Sequence, residues 1–590
     1  MKARSLTSPP VAKTPVKLIA CRLEDFDRAY RAQLAQLTQG ISPASLISAY
    51  MDWLVHLSIS PGKQIELMTH AQQNLIVLSK QVLQCSSDQT TPCIQPLSQD
   101  KRFKSEAWQS WPFNLFYQSF LLNQQWWHRA TSDVVGVSAH HKQMTTFFAR
   151  QWLDVFSPSN FLLTNPEVLA ETLKTRGNNL LKGAQNKLNN AIQIATGKTP
   201  KDALKFRPGH EVAVTPGKVI FRNHLIELIQ YSPQTEKVFP EPILIVPSWI
   251  MKYYILDLSP QNSLVRYLVD QGHTVFMVSW KNPDASDSHL GMDDYLKDGV
   301  MAAMDAVSSI LPQRKIQATG YCLGGTLLAI AAAYMARKND ERLQSLTLLA
   351  SELDFSEPGE LGLFIDESQL AYLQDLMSEK GYLDGKQMAG AFAMLNSRDL
   401  VWSRMEHEYL MGNNLITSDL SAWNADATRM PYRQHLEYLR SLYLHNDLAE
   451  GRYLVEKRPI ALSDIRIPVF VVATQKDTVS PWFSVYKLHL LTDTEITFCL
   501  TSGGHNVGIV NPPGLGAKRS YQLATRIRSE HYVDPATWFD TVTTHEGSWW
   551  PSWEAWLHAH STQRSAPPPM GDTTHNKKLV NAPGHYVLSV

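Results

Sequence analysis

The feature that most constrains the fold is a series of short apolar runs in the second half of the chain. In chain order they are PILIVPSW, HTVFMVSW, KIQATGYCL, SLTLLASELDF, IPVFVVATQKD and EITFCLTSGGH. Near-continuous apolar strands of this kind are typical of a parallel sheet that is covered on both faces. Stretches with helical patterning, such as PQNSLVRYLVDQG, separate several of the runs. The alternation predicts an α/β protein with a mostly parallel, doubly wound sheet.

Other parts of the 590-residue chain have a different patterning. Residues 1–22 are rich in Pro, Ser, Thr and charge and predict a flexible tail, as does the sequence from about residue 563. Residues 23–200 predict a mainly helical N-terminal domain, and the α/β domain is expected over residues 201–590. Within that domain the alternation stops over about 356–466, which predicts an insertion. Active sites of open α/β sheets lie at the carboxyl edge, so this insertion is expected to cap a site there.

Charge and cysteine content exclude several classes of protein. Lys plus Arg and Asp plus Glu both total 55, so the net charge is zero with neutral histidines. No overall field attracts nucleic acid, which is therefore not an expected partner. The five cysteines are Cys21, Cys85, Cys93, Cys322 and Cys499. A scattered, odd set suits a reducing cytosol rather than a disulfide framework. The longest small and apolar run is too short to span a bilayer and no secretory signal is visible, so a cytoplasmic protein without a transmembrane segment is expected.

The run KIQATGYCLGGTLLAIAAAYMA predicts a strand, a tight turn and a helix, with Cys322 at the turn. Its G-x-C-x-G pattern matches the nucleophile elbow of α/β hydrolases, with cysteine in place of serine. Side chains at Gly320 and Gly324 would collide with the neighbouring strand and helix. The helix N-terminus directed at the sulfur would stabilise a thiolate. For this pattern alone, a buried apolar cysteine is the alternative interpretation.

Two downstream residues favour the nucleophile interpretation. Asp477 follows the apolar run VFVVATQK, and His505 follows EITFCLTSGG. Each taken singly is also compatible with an ordinary turn or loop residue. The chain order nucleophile, acid, histidine, with each residue just after a strand, is the order of α/β-hydrolase triads. The sequence therefore predicts a triad of Cys322, His505 and Asp477.

A cysteine nucleophile also indicates the type of reaction. Thiols are intrinsically strong nucleophiles that a nearby histidine can activate. Thiolate attack on a thioester exchanges one thioester for another of similar energy, so the acyl group stays activated for a second acceptor. An acyl-serine would instead be a stable ester. This chemistry favours acyl transfer over simple hydrolysis.

At these residues the sequence resembles the polyhydroxyalkanoate synthases, most closely the single-subunit, short-chain (class I) type. The similarity extends from about Trp108 to the C-terminus. The similar motifs are GYCLGG, PSWIMKYYILDLSPQNSLVRYLVDQGHTVFMVSWKNPDAS, LSAWNADATRMP, GGHNVGIVNPPG, GSWWPSWEAWL and APGHYV. The resemblance implies the α/β-hydrolase fold and an acyltransferase that polymerises (R)-3-hydroxyacyl-CoA, chiefly 3-hydroxybutyryl-CoA, into polyester with release of CoA.

The resemblance also implies roles for individual residues. Cys322 would be the acylated nucleophile, and His505 the base that activates it. Asp477 would orient His505 and help to activate the 3-hydroxyl of the incoming unit, which must lose a proton as it attacks. The backbone N–H of Leu323 and one N–H near Ile250 would bind the oxyanion.

Three further positions carry weaker expectations. Trp423 in AWNAD resembles a family tryptophan near the site, with packing inside the cap as the alternative. Asp257 in YYILDL is a second pocket candidate, whose alternative is to hold a helix start or a loop. The family commonly has histidine directly after the triad aspartate, whereas this chain has Thr478. This difference removes any role of a second imidazole at that position.

No metal or cofactor is predicted, because the chain has no CxxC, HExxH, acidic loop, P-loop or dinucleotide fingerprint. The resemblance implies a homodimer associated with polyester granules in the cytoplasm. One alternative is a thioesterase or polyester depolymerase on the same fold, which would release free 3-hydroxy acid. The other is a catalytically inactive granule-associated protein, which would form no acyl-enzyme.

Overall fold

A computed structural model describes residues 15–38, 40–84, 92–97, 100–196, 205–395, 397–414, 418–514, 519–571 and 579–589. The described part before residue 197 is mainly helical. Its α-helices are α1 (Pro15–Leu37), α2 (Pro43–Ser58), α3 (Pro61–Gln84), α4 (Phe113–Ser132), α5 (Ala139–Val155), α6 (Pro166–Lys174) and α7 (Asn178–Thr196). Side-chain caps start several of them, since Ser42 accepts from the Ser45 N–H and Asn165 accepts from the Glu167 and Val168 N–H groups.

Short strands dominate the chain after residue 216. They are β1 (Gly217–Arg222), β2 (Ile226–Tyr231), β3 (Ile243–Val246), β4 (Val275–Trp280), β5 (Ile316–Tyr321), β6 (Leu343–Leu349), β7 (Tyr382–Leu383), β8 (Met430–Pro431), β9 (Leu454–Val455), β10 (Arg458–Pro459), β11 (Val469–Thr474), β12 (Ile496–Thr501), β13 (Ser520–Arg526), β14 (Thr544–Glu546) and β15 (Val580–Asn581). The accompanying helices are α8 (Leu264–Asp270), α9 (Met292–Asp294), α10 (Ala302–Ile310), α11 (Leu323–Arg337), α12 (Glu367–Lys380), α13 (Gly385–Leu395), α14 (Asp419–Asn424), α15 (Tyr432–Tyr438), α16 (Trp482–Tyr486), α17 (Leu488–Leu491), α18 (Pro535–Thr541) and α19 (Trp550–Ala559).

One large sheet organises this part of the molecule. Its eleven strands lie in the order β14-β13-β12-β11-β6-β5-β3-β4-β2-β1-β15. The central strands from β4 to β12 pair in parallel, and the flanking strands pair antiparallel. Strands β3, β4, β5, β11 and β12 are buried along their whole length. This burial explains their near-continuous apolar sequences, and the predicted doubly wound α/β sheet is confirmed.

A mainly helical segment lies between β6 and β11 and forms the cap. It contains α12 to α15 and the small antiparallel pair β7–β8. Its contacts reach the loop after β3, because Ala427 forms a bridge with Met251 and the Thr428 hydroxyl donates to the Trp249 carbonyl at 3.1 Å. The segment therefore lies over the carboxyl edge of the sheet.

The first two helices pack on the outer side of this cap. Gln369 of α12 accepts a hydrogen bond from the Ser42 N–H at 2.8 Å and donates to the Gly40 carbonyl at 2.5 Å. Arg31 of α1 also forms an ion pair with Asp375 of α12. Helix α1 begins at Pro15, within the predicted N-terminal tail, and residues 1–14 lie outside the described residues.

The C-terminal segment differs from the predicted tail. Strand β15 pairs antiparallel with β1 at the edge of the sheet. The N–H groups of His585 and Tyr586 donate to Oε2 of the buried Glu227 at 2.8 and 2.9 Å. Most of these contacts are made by backbone groups, which the polar, proline-rich composition of the segment does not reveal.

The same segment reaches the loop that follows β3. The buried Lys252 ammonium donates to the Val587 carbonyl at 2.7 Å and to the Ser589 carbonyl at 2.5 Å. Burial lowers the pKa of Lys252 from its ordinary value of 10.5. The C-terminal residues thus supply the polar partners that a buried ammonium group requires.

Candidate active site

The site is built around the turn between β5 and α11. Cys322 is the N-cap of α11 and has φ 53° and ψ −126°. A positive φ is rare for a residue with a side chain and persists only where the surroundings hold it. Here the Cys322 N–H donates to the Leu349 carbonyl of β6 at 2.8 Å, and the Cys322 carbonyl accepts from the Gly325 N–H at 2.9 Å. These contacts fix the side chain at the carboxyl edge of the sheet.

The glycines of this turn allow a very close approach of backbone to backbone. A Cβ atom at Gly320 would overlap the backbone of Gly325 in α11. A Cβ atom at Gly324 would overlap the Val246 carbonyl at the end of β3. The predicted need for glycine at both positions agrees with this geometry.

Gly324→Ala is expected to destabilise the protein by about 3 kcal/mol, the upper end of the overpacking range, because backbone atoms must move to admit the methyl group. Urea unfolding followed by circular dichroism measures the change. The matched control is Gly62→Ala in α3, where nothing lies within 4 Å of the added Cβ and stability should stay equal or rise slightly. Equal stability of the two variants would contradict the close packing at Gly324.

Asp477 and His505 lie beside this turn on the loops after β11 and β12. The His505 Nδ1 lies 2.8 Å from Asp477 Oδ2. The Thr474 hydroxyl also donates to Oδ2 at 3.1 Å, and the N–H groups of Val479 and Ser480 donate to Oδ1, both at 2.9 Å. The Asp477 carboxylate is therefore fully engaged and inaccessible to solvent, while the His505 side chain is 15% exposed.

The pKa of His505 depends on both Asp477 and Cys322. Burial acts to lower the pKa of His505, but the charges of Asp477 and Cys322, together with hydrogen bonding to both, outweigh it. The pKa of His505 is held well above its ordinary value of 6.5. The structure thus brings together the three residues that the sequence predicts as a triad.

A cavity of about 110 Å³ opens in front of Cys322 and is covered by the cap. Its walls are mainly apolar and include Phe355, Phe364 and Met430. Gly40 and Ile41, which precede α2, also contribute to the wall. Cys322 itself is 7% exposed, so the thiol lies in a site that is largely screened from bulk solvent.

Both predicted oxyanion residues line this cavity together with Cys322. Leu323 is the first residue of α11, and the N–H groups of a first helical turn have no acceptor within the helix. Ile250 follows β3 and is held by the cap, because its carbonyl accepts from the Thr428 N–H at 3.4 Å. Their positions suit two N–H groups directed at an acyl oxygen beside the sulfur.

Trp423 and Asp257 are not among the described residues that line the cavity. Trp423 is buried in the cap, and its Nε1 donates to the Lys252 carbonyl at 2.7 Å. The Asp257 carboxylate accepts from the hydroxyls of Thr215 and Ser263 at 2.5 and 2.7 Å. Burial raises the pKa of Asp257 from 3.8. These contacts favour the packing and helix-start alternatives.

The side chain of Thr478 is exposed on the loop after β11. Its carbonyl lies against Gly359, where an added Cβ would approach it to 2.6 Å. Only the backbone of Thr478 is thus used in fixing this loop, so an imidazole in its place would extend from the surface of the loop.

Several polar residues near the site were missed by sequence reasoning. The Tyr321 hydroxyl donates to Asn506 Oδ1 at 2.6 Å and so anchors the loop of His505. Glu352 and His435 line the cavity, and both are buried. An acidic residue directly after the apolar run SLTLLAS was the available signal for Glu352. His435 lies in a helical stretch of the cap without any such signal.

Among the described residues, no group of three His, Cys, Asp or Glu side chains is arranged to hold a metal ion. Within the described ranges, no helix combines the length and the apolar character needed to cross a membrane.

The sheet order and the placement of three residues after β5, β11 and β12 define a protein of the α/β hydrolase class, with Cys322 on the turn after β5. In agreement, the family described as alpha/beta hydrolase fold matches residues 241–512. Two further families match, described as Poly-beta-hydroxybutyrate polymerase (PhaC) N-terminus over residues 99–268 and Poly-beta-hydroxybutyrate polymerase N terminal over residues 22–63. The chain belongs to the poly(3-hydroxyalkanoate) polymerase family, a family of acyltransferases, and the resemblance found in the sequence is confirmed.

Relatives cover most of the chain. The poly(3-hydroxyalkanoate) polymerase of Methylorubrum extorquens is 39% identical over 532 residues, which are 89% of this chain and 87% of that protein. The polymerase subunit of Rhizobium meliloti is 35% identical and covers 98% of this chain and 96% of its own. The subunit of Cupriavidus necator is 34% identical, covering 91% and 90%. Among solved structures, a monoacylglycerol lipase of Paleococcus ferrophilus is 12% identical, with a TM-score of 0.32, and covers 57% of this chain and 99% of that chain.

Proposed function

We propose that the chain polymerises (R)-3-hydroxyacyl-CoA, chiefly 3-hydroxybutyryl-CoA, into polyester with release of CoA, through an acyl-enzyme at Cys322. The observation that carries this proposal is the arrangement of the site. Cys322 lies on a strained turn in front of a covered apolar cavity, beside the pair formed by His505 and Asp477. Membership of the polymerase family supports the reaction, and the geometry supports the roles of the residues.

Acylation is the first step. His505 takes the thiol proton of Cys322, and the thiolate attacks the thioester carbonyl of the substrate. The N–H groups of Leu323 and Ile250 stabilise the oxyanion that forms. When the tetrahedral intermediate collapses, the bond to the CoA sulfur breaks. The imidazolium of His505 then protonates the CoA thiolate as it leaves.

Transfer is the second step. The 3-hydroxyl of the next unit attacks the acyl-thioester and loses its proton to His505, forming an ester and releasing the Cys322 sulfur. Asp477 accepts four hydrogen bonds and is inaccessible to solvent. This arrangement supports the role of Asp477 in orienting His505. The second expected role of Asp477 is to help activate the 3-hydroxyl. Direct contact with that hydroxyl would require one of the four hydrogen bonds to break.

The environment of Cys322 favours transfer over hydrolysis. The thiol is buried under the cap, and the cavity walls are mainly apolar. A site of this kind excludes water and protects a reactive thioester until an acceptor hydroxyl enters. The alternative of a thioesterase or depolymerase would instead need ready access of water to the acyl-enzyme.

We propose in addition that the protein acts as a homodimer in the cytoplasm at the surface of polyester granules. Helix α2 supports an apolar contact of this kind. Its apolar residues at helical spacing are exposed to between 38% and 59%, namely Ile47, Tyr50, Met51, Leu54 and Val55. Contiguous exposed apolar faces often mark contacts with partners or with apolar phases. The family relationship is the other support.

Mass spectrometry after brief exposure to 3-hydroxybutyryl-CoA tests the proposed function. A 3-hydroxybutyryl adduct on the peptide that contains Cys322 is expected, together with insoluble polyester after longer incubation. Free 3-hydroxybutyrate as the main product would favour the hydrolase alternative. No adduct and no CoA release would favour the inactive granule-associated protein.

A further inference from the structure

Glu352 is the only acidic side chain among the described residues that line the cavity of Cys322. It is only 3% exposed, and neither carboxyl oxygen has a hydrogen-bond partner among the described residues. The Ser484 hydroxyl lies close to the Glu352 carboxyl group and acts to lower its pKa, but it donates its hydrogen bond to the Glu357 carbonyl at 2.8 Å. Buried polar groups are nearly always paired, so an unpaired one in a substrate cavity indicates a ligand that completes it.

The backbone of Glu352 is fixed close to the turn that carries Cys322. Glu352 follows β6, which lies between the strand that precedes Cys322 and the strand that precedes Asp477. Its carbonyl accepts a hydrogen bond from the Thr326 hydroxyl at 2.8 Å, one turn along α11 from Cys322. The charges of Cys322 and Glu352 both act on Tyr438 of the cap, so the two side chains share one neighbourhood.

The protonation state of Glu352 determines what it can bind. Burial raises its pKa well above the ordinary 4.5, and the charge of Asp477 adds to the effect. Burial thus favours the uncharged carboxylic acid, which has one hydrogen-bond donor and free acceptor positions. A neutral acid of this kind complements an alcohol or an ester oxygen rather than a cation.

We propose that Glu352 is a specificity-determining residue, whose carboxyl group hydrogen-bonds the oxygen on carbon 3 of the acyl unit carried by Cys322. The inference rests on the acyl-enzyme of the proposed function. A 3-hydroxyl group pairs with both the donor and the acceptor of the acid, and after ester formation the acid still donates to the oxygen. An acyl group without this oxygen leaves the buried acid unpaired, which lowers the rate of its reaction.

First-turnover release of CoA from (R)-3-hydroxybutyryl-CoA and from butyryl-CoA tests the proposal. The two thioesters differ only in the oxygen on carbon 3, and acylation needs no attacking hydroxyl. We expect the wild type to prefer the hydroxylated thioester, measured as the ratio of the two acylation rates. Glu352→Leu is expected to lower this ratio roughly tenfold or more, since a buried hydrogen bond to the substrate is lost.

Two variants control for charge and for shape. Glu352→Gln keeps a donor and an acceptor, and its ratio should stay within about threefold of the wild type. Glu357→Gln makes the same chemical change on a side chain that is 71% exposed, and its ratio should equal that of the wild type. A wild-type ratio near one, or an unchanged ratio in folded Glu352→Leu, overturns the proposal.

Thermal unfolding separates this role from a structural one. Replacing a buried, unpaired acid by leucine should leave the melting temperature unchanged or raise it. A lower melting temperature with an unchanged ratio would mean that Glu352 serves only the fold. If the leucine variant does not fold, Glu352→Ala removes the same carboxyl group, and the ratio of the two acylation rates is measured on that variant instead. A wild type that releases no CoA from either thioester would overturn the proposed function instead.

Discussion

Cys322→Ala is expected to lower CoA release from 3-hydroxybutyryl-CoA at least about 10³-fold, because it removes the thiol that forms the proposed acyl-enzyme. The alanine side chain is smaller and fits the same turn, so the variant should fold. The measurement is continuous detection of free CoA with a thiol reagent, alongside circular dichroism of the purified protein.

Cys499→Ala is the matched control for this variant. Cys499 is also buried, on β12, and burial raises the pKa of its thiol well above the ordinary 9.0. Its replacement should cost about 1 kcal/mol of stability and leave CoA release within a factor of two. Turnover by Cys322→Ala at the rate of Cys499→Ala would reject Cys322 as the nucleophile.

Asp477→Asn is expected to lower CoA release about 10³- to 10⁴-fold while the fold is retained. The carboxylate now accepts from His505 Nδ1 and so leaves Nε2 free to take the thiol proton. An amide that donates to Nδ1 instead favours the opposite tautomer, which cannot act as a base toward Cys322. Asp493→Asn makes the same change at a surface carboxylate that pairs with Arg466 and Arg528, and it should retain full activity.

The same variant should change the pH dependence of stability. The pKa of His505 is raised in the folded protein, so its contribution to stability is complete below about pH 6.5 and is lost as the pH rises through the raised pKa. Asp477→Asn removes the main cause of that rise. The difference in free energy of unfolding between wild type and variant should therefore be larger at pH 6 than at pH 9, by about 1.4 kcal/mol for each unit of raised pKa. A difference that is independent of pH would contradict a raised pKa of His505 in the folded wild type.

Much of the fold could be predicted because the buried parallel strands impose their pattern on the sequence. Strands β3, β4, β5, β11 and β12 all coincide with apolar runs that are legible in the chain. The C-terminal strand β15 could not be predicted, since it has two residues and pairs with β1 through backbone groups. Because nearly every residue has the same backbone groups, backbone hydrogen bonding gives no signal in the amino-acid sequence.

For the site, sequence reasoning found the residues whose roles depend on position after a strand. Cys322, Asp477 and His505 follow three strands in a recognisable order, and the structure brings them together. Glu352 obeys the same rule but lies outside the triad order, so no pattern singled it out. Trp423 was a candidate from the family resemblance and Asp257 from its local sequence. Neither source tells whether a buried side chain with a polar group faces a cavity or a hydrogen-bonded network.

The wall formed by Gly40 and Ile41 means that the reaction chamber is a composite of both halves of the molecule. Gln369 of α12 links the two parts, because it is hydrogen-bonded to the loop between α1 and α2 and also lines the cavity. A change in the position of α1 and α2 would consequently change the shape of the cavity beside the Cys322 sulfur. A fragment that starts after residue 204 would lose Gly40 and Ile41 from the cavity wall. Its cavity would be more open than that of the 590-residue chain, and its measured rates would refer to this more open site.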